Sequence, residues 1–426
     1  MKGSSELRGF YKQPPEERLR IVRKLTSLTK DEASAISTVG SLEIDRANRM
    51  IENVIGGITI PLGIATNFLI NGRDYLVPMA IEEPSVVAAA SNAAKMARMK
   101  GGFSTSSTQP VMIGQIQTVD IKDPYAARIK ILSSKTEILD KANQQDPMLV
   151  SVGGGAKDLD AKVIQTPSGS MVITELHVDC RDAMGANAVN TMAEAVAPLI
   201  EKISGGRVLL RIISNLATRR LARAVAIFSK ESLEGEEVVD GVIRAYQFAA
   251  SDPFRCATHN KGIMNGVIAA ALAMGQDTRA LESGAHSYAS RTGTYLPLTT
   301  WEKNRNGDLV GSIEMPMAVG LIGGATAVHP VAKAAVKILG VKSATELEEV
   351  MVALGLAQNL GALRALAVEG IQRGHMKLHA RNVAVTAGAS GDLIDIVAQK
   401  MVEERKVRLD RAKEILQKAG KRNKRY

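Results

Sequence analysis

Between residues 110 and 215 the hydrophobic pattern alternates between a period of two and a helical period. Four segments with a period of two predict strands: PVMIGQIQTVDI, AKVIQT, SMVITELHVD and GRVLLRIIS. Two segments with a helical period separate them: DPYAARIKILSSKTEILDKANQQ and DAMGANAVNTMAEAVAPLIEKI. A Pro-Ser-Gly turn joins the second strand to the third. The predicted order is therefore β-α-β-β-α-β, a ferredoxin-like unit.

The chain on either side of this unit has a helical period interrupted by glycine-rich turns. Residues 15–25 and 29–37 predict helices, the second opened by the capping box of Thr29 and Glu32. A further helix is predicted over about residues 84–99, with Pro84 at its first position.

Residues 53–72 carry no charge and are long enough to cross a membrane. Gly56, Gly57 and Pro61 interrupt any helix there. We therefore expect a buried strand-and-turn region at a subunit contact.

These periods predict an α+β protein with three parts. A large helix-rich domain is formed by residues 1–109 and 216–372, and a ferredoxin-like domain over 110–215 is inserted into it. Residues 373–426 form a third, mostly polar and helical unit.

The composition is that of a globular protein, with 45% apolar and 23% charged residues in 426. Cys180 and Cys256 provide neither a disulfide framework nor metal-ligand spacing. The N-terminus lacks the apolar segment of a signal peptide. We therefore expect a cytoplasmic protein.

The net charge of +10 leaves a nucleic-acid-binding protein as the alternative from another class. Most of the excess lies in residues 400–426, which hold eleven Lys or Arg and four acids. Aromatic residues are only 3%, too few for base stacking. A solvated amphipathic helix is the favoured interpretation of the tail.

The glycine-rich segments do not form a known nucleotide signature. No GxGxxG opens a helix after a strand, and no Walker A sequence is present, so a Rossmann domain is not expected. GGGAKD (153–158), DAMGAN (182–187) and GLIGGAT (320–326) each allow either close approach to a phosphate or a tight turn. DAMGAN opens a predicted helix, where free N–H groups face anions favourably.

Lys261 precedes an uncharged segment, residues 262–276, that predicts a buried helix. A cation at a helix N-terminus is unfavourable, and either snorkelling or a functional partner would explain it. Asn265 lies on the same helix face. Glu83 and Asp277 precede predicted helices, where stabilising the helix dipole and capping are their simplest roles.

His375 and His379 have the i, i+4 spacing of zinc-binding helices. The glutamate of HExxH and a third ligand are lacking, so no metal site is expected.

Six motifs occur in the order found in class II 3-hydroxy-3-methylglutaryl-CoA reductases: ENVIGG, EEPS, DAMGAN, THNKGIMNG, GQD and GHMKLHARN. The chain resembles this family over essentially its whole length. The resemblance implies a large domain that binds acyl-CoA, a ferredoxin-like domain that binds the nucleotide, and a mobile C-terminal flap over 373–426.

The resemblance also implies interconversion of hydroxymethylglutaryl-CoA with mevalonate and CoA by two hydride transfers with NAD(P)H. Lys261 would stabilise the oxyanion, Glu83 would be the general acid, Asp277 would tune both, and His375 would protonate the CoA thiolate. Ser85, Arg255 and Asn265 would contact the acyl group. A relative acting on another acyl-CoA thioester is the alternative within enzymes.

For the cofactor, the resemblance assigns Asp182, Met184, Gly185 and Asn187 to nucleotide binding. Asp146 matches a position where an acid accepts hydrogen bonds from the ribose 2′-hydroxyl and repels a 2′-phosphate, so NADH is expected over NADPH. Nearby Lys141 and Lys157 leave NADPH open. A homodimer or dimer-based oligomer is expected, without membrane, nucleic acid or metal.

One straight helix over residues 261–277 would hold Lys261 and Asp277 roughly 24 Å apart. Two explanations remain open from the sequence. Either the helix starts late and is interrupted near Gly266, or another subunit contributes part of the site.

Overall fold

The computed structural model describes residue 1, residues 3–368 and residues 380–422. Its two β-sheets, with helices packed on them, confirm the predicted α+β class. His375 and His379 lie outside the described residues.

The chain begins with a short 3-10 helix, Phe10–Lys12. The elements that follow are α1 (Pro15–Leu25), α2 (Lys30–Ser37), α3 (Ile44–Ala47), β1 (Leu62–Ile70), β2 (Arg73–Ala80), α4 (Val86–Arg98) and β3 (Phe103–Ser107). The capping box predicted for α2 is confirmed, because Thr29 Oγ1 accepts from the N–H of Glu32 and the Glu32 carboxylate accepts from the N–H of Thr29.

Two predictions in this part are wrong. The helix expected from Pro84 begins at Val86, because Ser85 adopts a left-handed conformation with φ 75°. Residues 53–61 form no regular element and are mostly exposed, so the expected burial is wrong there, whereas the expected strand and turn are confirmed in β1 and in the turn at residues 71–72.

The second part contains β4 (Val111–Val119), α5 (Pro124–Ser133), α6 (Lys135–Asn143), α7 (Pro147–Ser151), β5 (Gly155–Thr166), β6 (Gly169–Asp179), α8 (Ala186–Ser204) and β7 (Arg207–Ser214). Its four strands form an antiparallel sheet in the order β5-β6-β4-β7, which is the ferredoxin-like arrangement. The single helix expected over residues 123–145 is interrupted at Ser134. Where the domains divide stays a prediction.

The third part returns to the first sheet. It contains β8 (Leu221–Phe228), α9 (Glu236–Ser251), α10 (Pro253–Ala273), α11 (Thr278–Ala289), β9 (Thr299–Lys303), β10 (Leu309–Pro316), α12 (Gly324–Val328), α13 (Pro330–Leu339) and α14 (Ala344–Val368). The resulting six-stranded sheet has the order β2-β1-β3-β8-β10-β9.

Helix α14 forms the centre of the large core. It packs against α4, α9, α10 and three strands of the six-stranded sheet. Among the described helices it alone is long and apolar enough to cross a membrane, and 67% of its most apolar stretch is buried inside the protein. This degree of burial is typical of a core helix.

The described C-terminal residues have a small core of their own. Residues 380–386 are helical and are followed by α15 (Leu393–Glu403) and α16 (Leu409–Arg422). Ala384, Val397, Met401 and Ile415 are buried in this core. Met401 lies in the tail, residues 400–426, that was predicted to form an amphipathic helix.

Candidate active site

Lys261 does not lie at a helix N-terminus, so that expectation is wrong. Helix α10 begins at Pro253, and the Asp252 carboxylate caps it by accepting from the N–H of Arg255 at 2.7 Å. Lys261 therefore lies in the third turn of the helix, where the N-terminal dipole no longer repels it strongly. The Asp-Pro pair upstream of the motif was the missed start signal.

The partner of Lys261 is Glu83. Lys261 Nζ donates to Glu83 Oε2 at 3.1 Å, and the two side chains are 58% and 36% exposed. The left-handed Ser85 keeps Glu83 outside α4 and turns the chain sharply before that helix. An ammonium and a carboxyl group are thus held together in the open, where they can stabilise an oxyanion and donate a proton.

A cavity of about 300 Å³ opens between α4 and α14, and one of its lining residues, Ser85, follows Glu83 by two positions. It is lined by Ser85, Ala88, Ala89, Asn92, Met96, Gly361, Arg364 and Ala365. A Cβ added at Gly361 would lie 3.0 Å from the Cβ of Ala89, so small residues let the two helices approach closely. Asn92 and Arg364 were not predicted; the small residues along α4 were the only signal.

Arg255 and Asn265 lie on the same helix as Lys261, two turns before it and one turn after it. Both are half-buried, and burial lowers the pKa of Arg255. In the described part of the chain no hydrogen bond joins either side chain to Glu83 or Lys261.

A buried polar network fixes the second turn of α10, just before Lys261, to the sheet and to α14. His259 Nε2 lies 2.7 Å from Thr299 Oγ1, which donates to Asn359 Oδ1 at 3.0 Å. Trp301 Nε1 donates to the same oxygen at 2.8 Å. Burial lowers the pKa of His259 to about 3, so its imidazole is neutral. The network therefore holds the helical turn that precedes Lys261 in place, and it contributes no charge.

Asp277 does not join this pair. Its carboxylate caps α11 by accepting from the N–H groups of Arg279 and Ala280, each at 3.1 Å. Helix α10 continues without interruption from Lys261 to Ala273, a rise of about 18 Å. The proposed interruption near Gly266 is therefore wrong.

The DAMGAN loop connects β6 to α8 and leaves the helix N-terminus open. Gly185, the N-cap, has φ 110°, and a Cβ there would lie 2.4 Å from Cys180 Sγ. No side chain caps α8 at this position. Asn187 is exposed on the first turn and Met184 is half-buried. The loop can therefore present backbone donors to an anion.

Asp182, the first residue of this loop, has a structural contact. Its Oδ1 accepts from the N–H of Ala344 at 2.7 Å, at the start of α14. The isolated bridge between Ala183 and Ile322 brings the GLIGGAT segment beside the loop. The sequence predicted either close approach to a phosphate or a tight turn for this segment, and it did not predict contact with the DAMGAN loop.

Asp146 caps the short helix α7, accepting from the N–H of Leu149 at 2.9 Å. A shallow groove borders it, lined by Asp140, Asn143, Gln144, Pro147, Val150 and Ser151. The nearby GGGAKD segment forms a tight turn into β5, where a Cβ at Gly154 or Gly155 would collide with its neighbours.

Comparison with known proteins identifies one family. The family described as hydroxymethylglutaryl-coenzyme A reductase matches residues 14–380. A 3-hydroxy-3-methylglutaryl-coenzyme A reductase of Archaeoglobus fulgidus is 62% identical, over 97% of this chain and 94% of the relative. A probable enzyme of the same name from Borreliella burgdorferi is 35% identical, over 83% and 82%.

A solved class II 3-hydroxy-3-methylglutaryl-CoA reductase from Streptococcus pneumoniae, bound to NADPH, is also similar. Its TM-score is 0.81 at 38% identity, covering 96% of this chain and all of that one. The resemblance expected from the six motifs is confirmed.

The glycines that flank Lys261 and Asn265 give a matched stability test. A Cβ at Gly266 would lie 2.9 Å from the Cβ of Gln358 on α14, whereas one at Gly262 would meet Ala362 at an ordinary 3.7 Å. We expect Gly266→Ala to lower the free energy of unfolding by about 1 to 3 kcal/mol through overpacking. Gly262→Ala should be neutral or stabilising by up to about 1 kcal/mol through helix propensity. Urea denaturation of both variants measures this, and equal effects would contradict the packing argument.

Proposed function

Because the chain belongs to the hydroxymethylglutaryl-coenzyme A reductase family, we propose that it reduces hydroxymethylglutaryl-CoA to mevalonate and CoA. The observation that carries this proposal is the ion pair of Lys261 and Glu83 near the cavity between α4 and α14. The comparisons do not favour the nucleic-acid-binding alternative or a different acyl-CoA substrate.

A reduced nicotinamide nucleotide, when bound, would supply one hydride, so the two reductions would use two molecules in turn. In the first reduction the thioester carbonyl oxygen becomes negative, and the Lys261 ammonium stabilises it. Glu83, in its protonated form, then donates a proton to this oxygen, which gives a hemithioacetal and leaves a carboxylate beside Lys261.

The carbon–sulfur bond of the hemithioacetal breaks next, as its hydroxyl returns a proton to the Glu83 carboxylate and the CoA sulfur leaves as thiolate. His375, by the resemblance, protonates this sulfur. The aldehyde that remains is reduced in turn, and Glu83 protonates the new alkoxide beside Lys261. Ser85, Arg255 and Asn265 are proposed to hold the acyl group, Ser85 from the wall of the cavity.

We place the nicotinamide nucleotide at the DAMGAN loop, with Asp182, Met184, Gly185 and Asn187 around it. The uncapped N-terminus of α8 supports this placement, because free N–H groups and the helix dipole attract a pyrophosphate.

The enzyme is proposed to act as a homodimer whose second chain completes the site. The continuous helix α10 separates Asp277 from Lys261 within one chain, which supports assigning the tuning role of this aspartate to the copy in the second chain. Ile55 and Ile58, in the exposed segment before β1, are almost fully exposed, and exposed apolar residues are typical of a protein contact.

We also propose a C-terminal flap and a cytoplasmic location. Residues 373–426 are proposed to close over the site as a flap, which the separate core of the described C-terminal helices supports. A cytoplasmic location is supported by two buried free cysteines, since oxidising compartments favour disulfides.

The assay that tests the reaction follows nicotinamide absorbance with hydroxymethylglutaryl-CoA and, in reverse, with mevalonate plus CoA. We expect Lys261→Met to lower kcat by about 10² to 10³, because the oxyanion loses its charged partner. Lys303→Met is the matched control, since Lys303 also pairs with a carboxylate, Glu236, but lies away from the cavity on β9. An unchanged rate in Lys261→Met would refute the assigned chemistry.

The choice between NADH and NADPH is expected to depend on Asp146. The S. pneumoniae relative is bound to NADPH, yet a carboxylate near the ribose repels a 2′-phosphate. We expect a higher kcat/KM with NADH than with NADPH. We expect the ratio of the two kcat/KM values to be smaller in Asp146→Asn. Asparagine also caps helices, so α7 should remain intact in this variant. A wild-type enzyme that favours NADPH would overturn the preference.

Mixing two inactive variants tests the shared site. Lys261→Met and Asp277→Ala dimers are each expected to be nearly inactive. After subunit exchange, half of the dimers would contain one chain of each kind, with one intact site of two, so about a quarter of wild-type activity should return. If both residues acted within one chain, mixing would restore nothing.

A further inference from the structure

Arg220 lies just before β8, is fully buried, and donates to four oxygen atoms. Its Nε donates to Glu348 Oε1 at 2.7 Å. Its Nη1 donates to the carbonyl oxygens of Ala183 and Met184, each at 3.0 Å, and its Nη2 donates to the carbonyl of Val319. One guanidinium thus binds the DAMGAN loop, the residue preceding GLIGGAT, and helix α14.

The DAMGAN loop and the GLIGGAT segment, both bound to this guanidinium or next to a residue that is, also contact each other. The carbonyl of Asp182 accepts from the N–H groups of Leu321 and Ile322, at 2.8 and 3.3 Å. A Cβ at Gly320 would lie 2.4 Å from the nitrogen of Met184, so only glycine fits there. The positions of the two glycine-rich segments therefore depend on each other.

Stability does not explain why an arginine occupies this position. Arg220 and Glu348 are both fully buried, and an apolar pair of similar size is often as stable as a buried ion pair. Burial raises the pKa of Glu348 to about 7, which shows how costly its charge is there. Geometry does explain it, because the planar guanidinium can meet several acceptors in fixed directions and an ammonium cannot.

The peptide bond transmits this geometry to the anion-binding side of the loop. A planar trans peptide points its C=O and its N–H in opposite directions. With the carbonyl of Met184 held by Arg220, the N–H of Gly185, the N-cap of α8, points away from Arg220. With the carbonyl of Ala183 held in the same way, the N–H of Met184 faces the GLIGGAT segment.

We infer that Arg220 is a positioning residue of the nucleotide site, which orients the peptide planes of the DAMGAN loop and holds the GLIGGAT segment against it. This inference rests on the proposed placement of the nucleotide at that loop. Arg220 itself does not contact the ligand.

The test compares Arg220→Lys with Arg223→Lys. Arg223 is on β8 and pairs with Glu314 away from the loop, so it is the matched control. In Arg220→Lys we expect the Kd and KM for NADH and NADPH to rise about tenfold, while the KM for hydroxymethylglutaryl-CoA stays within about twofold. Arg223→Lys should leave all three unchanged. Equal increases in the KM for both substrates, or an unchanged nucleotide Kd, would overturn the inference.

A second variant decides the matter if Arg220→Lys does not fold. Glu348→Gln keeps an acceptor for Nε but removes the charge that orients the guanidinium, so we expect a rise of about threefold in nucleotide Kd alone. A lower Tm with an unchanged nucleotide Kd would mean that the pair is only structural, and the inference would fail.

Asn187→Asp distinguishes an error in the role assigned to Arg220 from an error in the proposed position of the nucleotide. A carboxylate in the first turn of α8 stabilises the helix dipole but repels a pyrophosphate, so nucleotide Kd should rise while Tm does not fall. If Asn187→Asp leaves nucleotide Kd unchanged, the nucleotide does not bind at this loop. If it weakens binding and the variants at Arg220 and Glu348 do not, only the role of Arg220 is refuted.

Discussion

The close approach of α10 and α4 to the central helix α14 is the constraint on which the site depends. At each contact a glycine removes the side chain that would separate the helices. A Cβ at Gly266 would press on Gln358, one at Gly355 would lie 3.1 Å from both Ile263 and Val267, and one at Gly361 would crowd Ala89. With the helices this close, two side chains 178 residues apart in sequence reach each other across the gap.

Two ion pairs in this fold have opposite environments and different consequences. The pair of Lys261 and Glu83 is open to solvent, so it adds little to stability, and the surrounding fold has to hold it in place. The pair of Arg220 and Glu348 is sealed from solvent and bound to backbone carbonyls. The open pair is available to react with a ligand, whereas the sealed pair can act only through the backbone that it holds.

Features that depend on local sequence could be predicted, and those that depend on distant contacts could not. The four strands of the ferredoxin-like sheet follow from alternation and a turn signal. The first residue of α4 could not be predicted, because the left-handed backbone conformation of Ser85 depends on its surroundings rather than on its residue type. Arg220 and the network around His259 have no pattern that distinguishes them from surface residues. The motifs supplied the candidate site residues, and among those that the structure describes it brings only Glu83 and Lys261 into contact, with Ser85 beside them.

A single chain leaves the proposed site open on several sides. Lys261 is more than half exposed, Asp277 is partly exposed at the start of α11, and the isoleucines of the segment before β1 project into solvent. Hydride transfer to a thioester benefits from the exclusion of water, since each charge then acts more strongly on the reacting oxygen. One chain cannot provide this by bending α10, which is continuous and tightly packed. The proposed second subunit and the proposed C-terminal flap both lie outside this packed core, so either could close the site without disturbing α10.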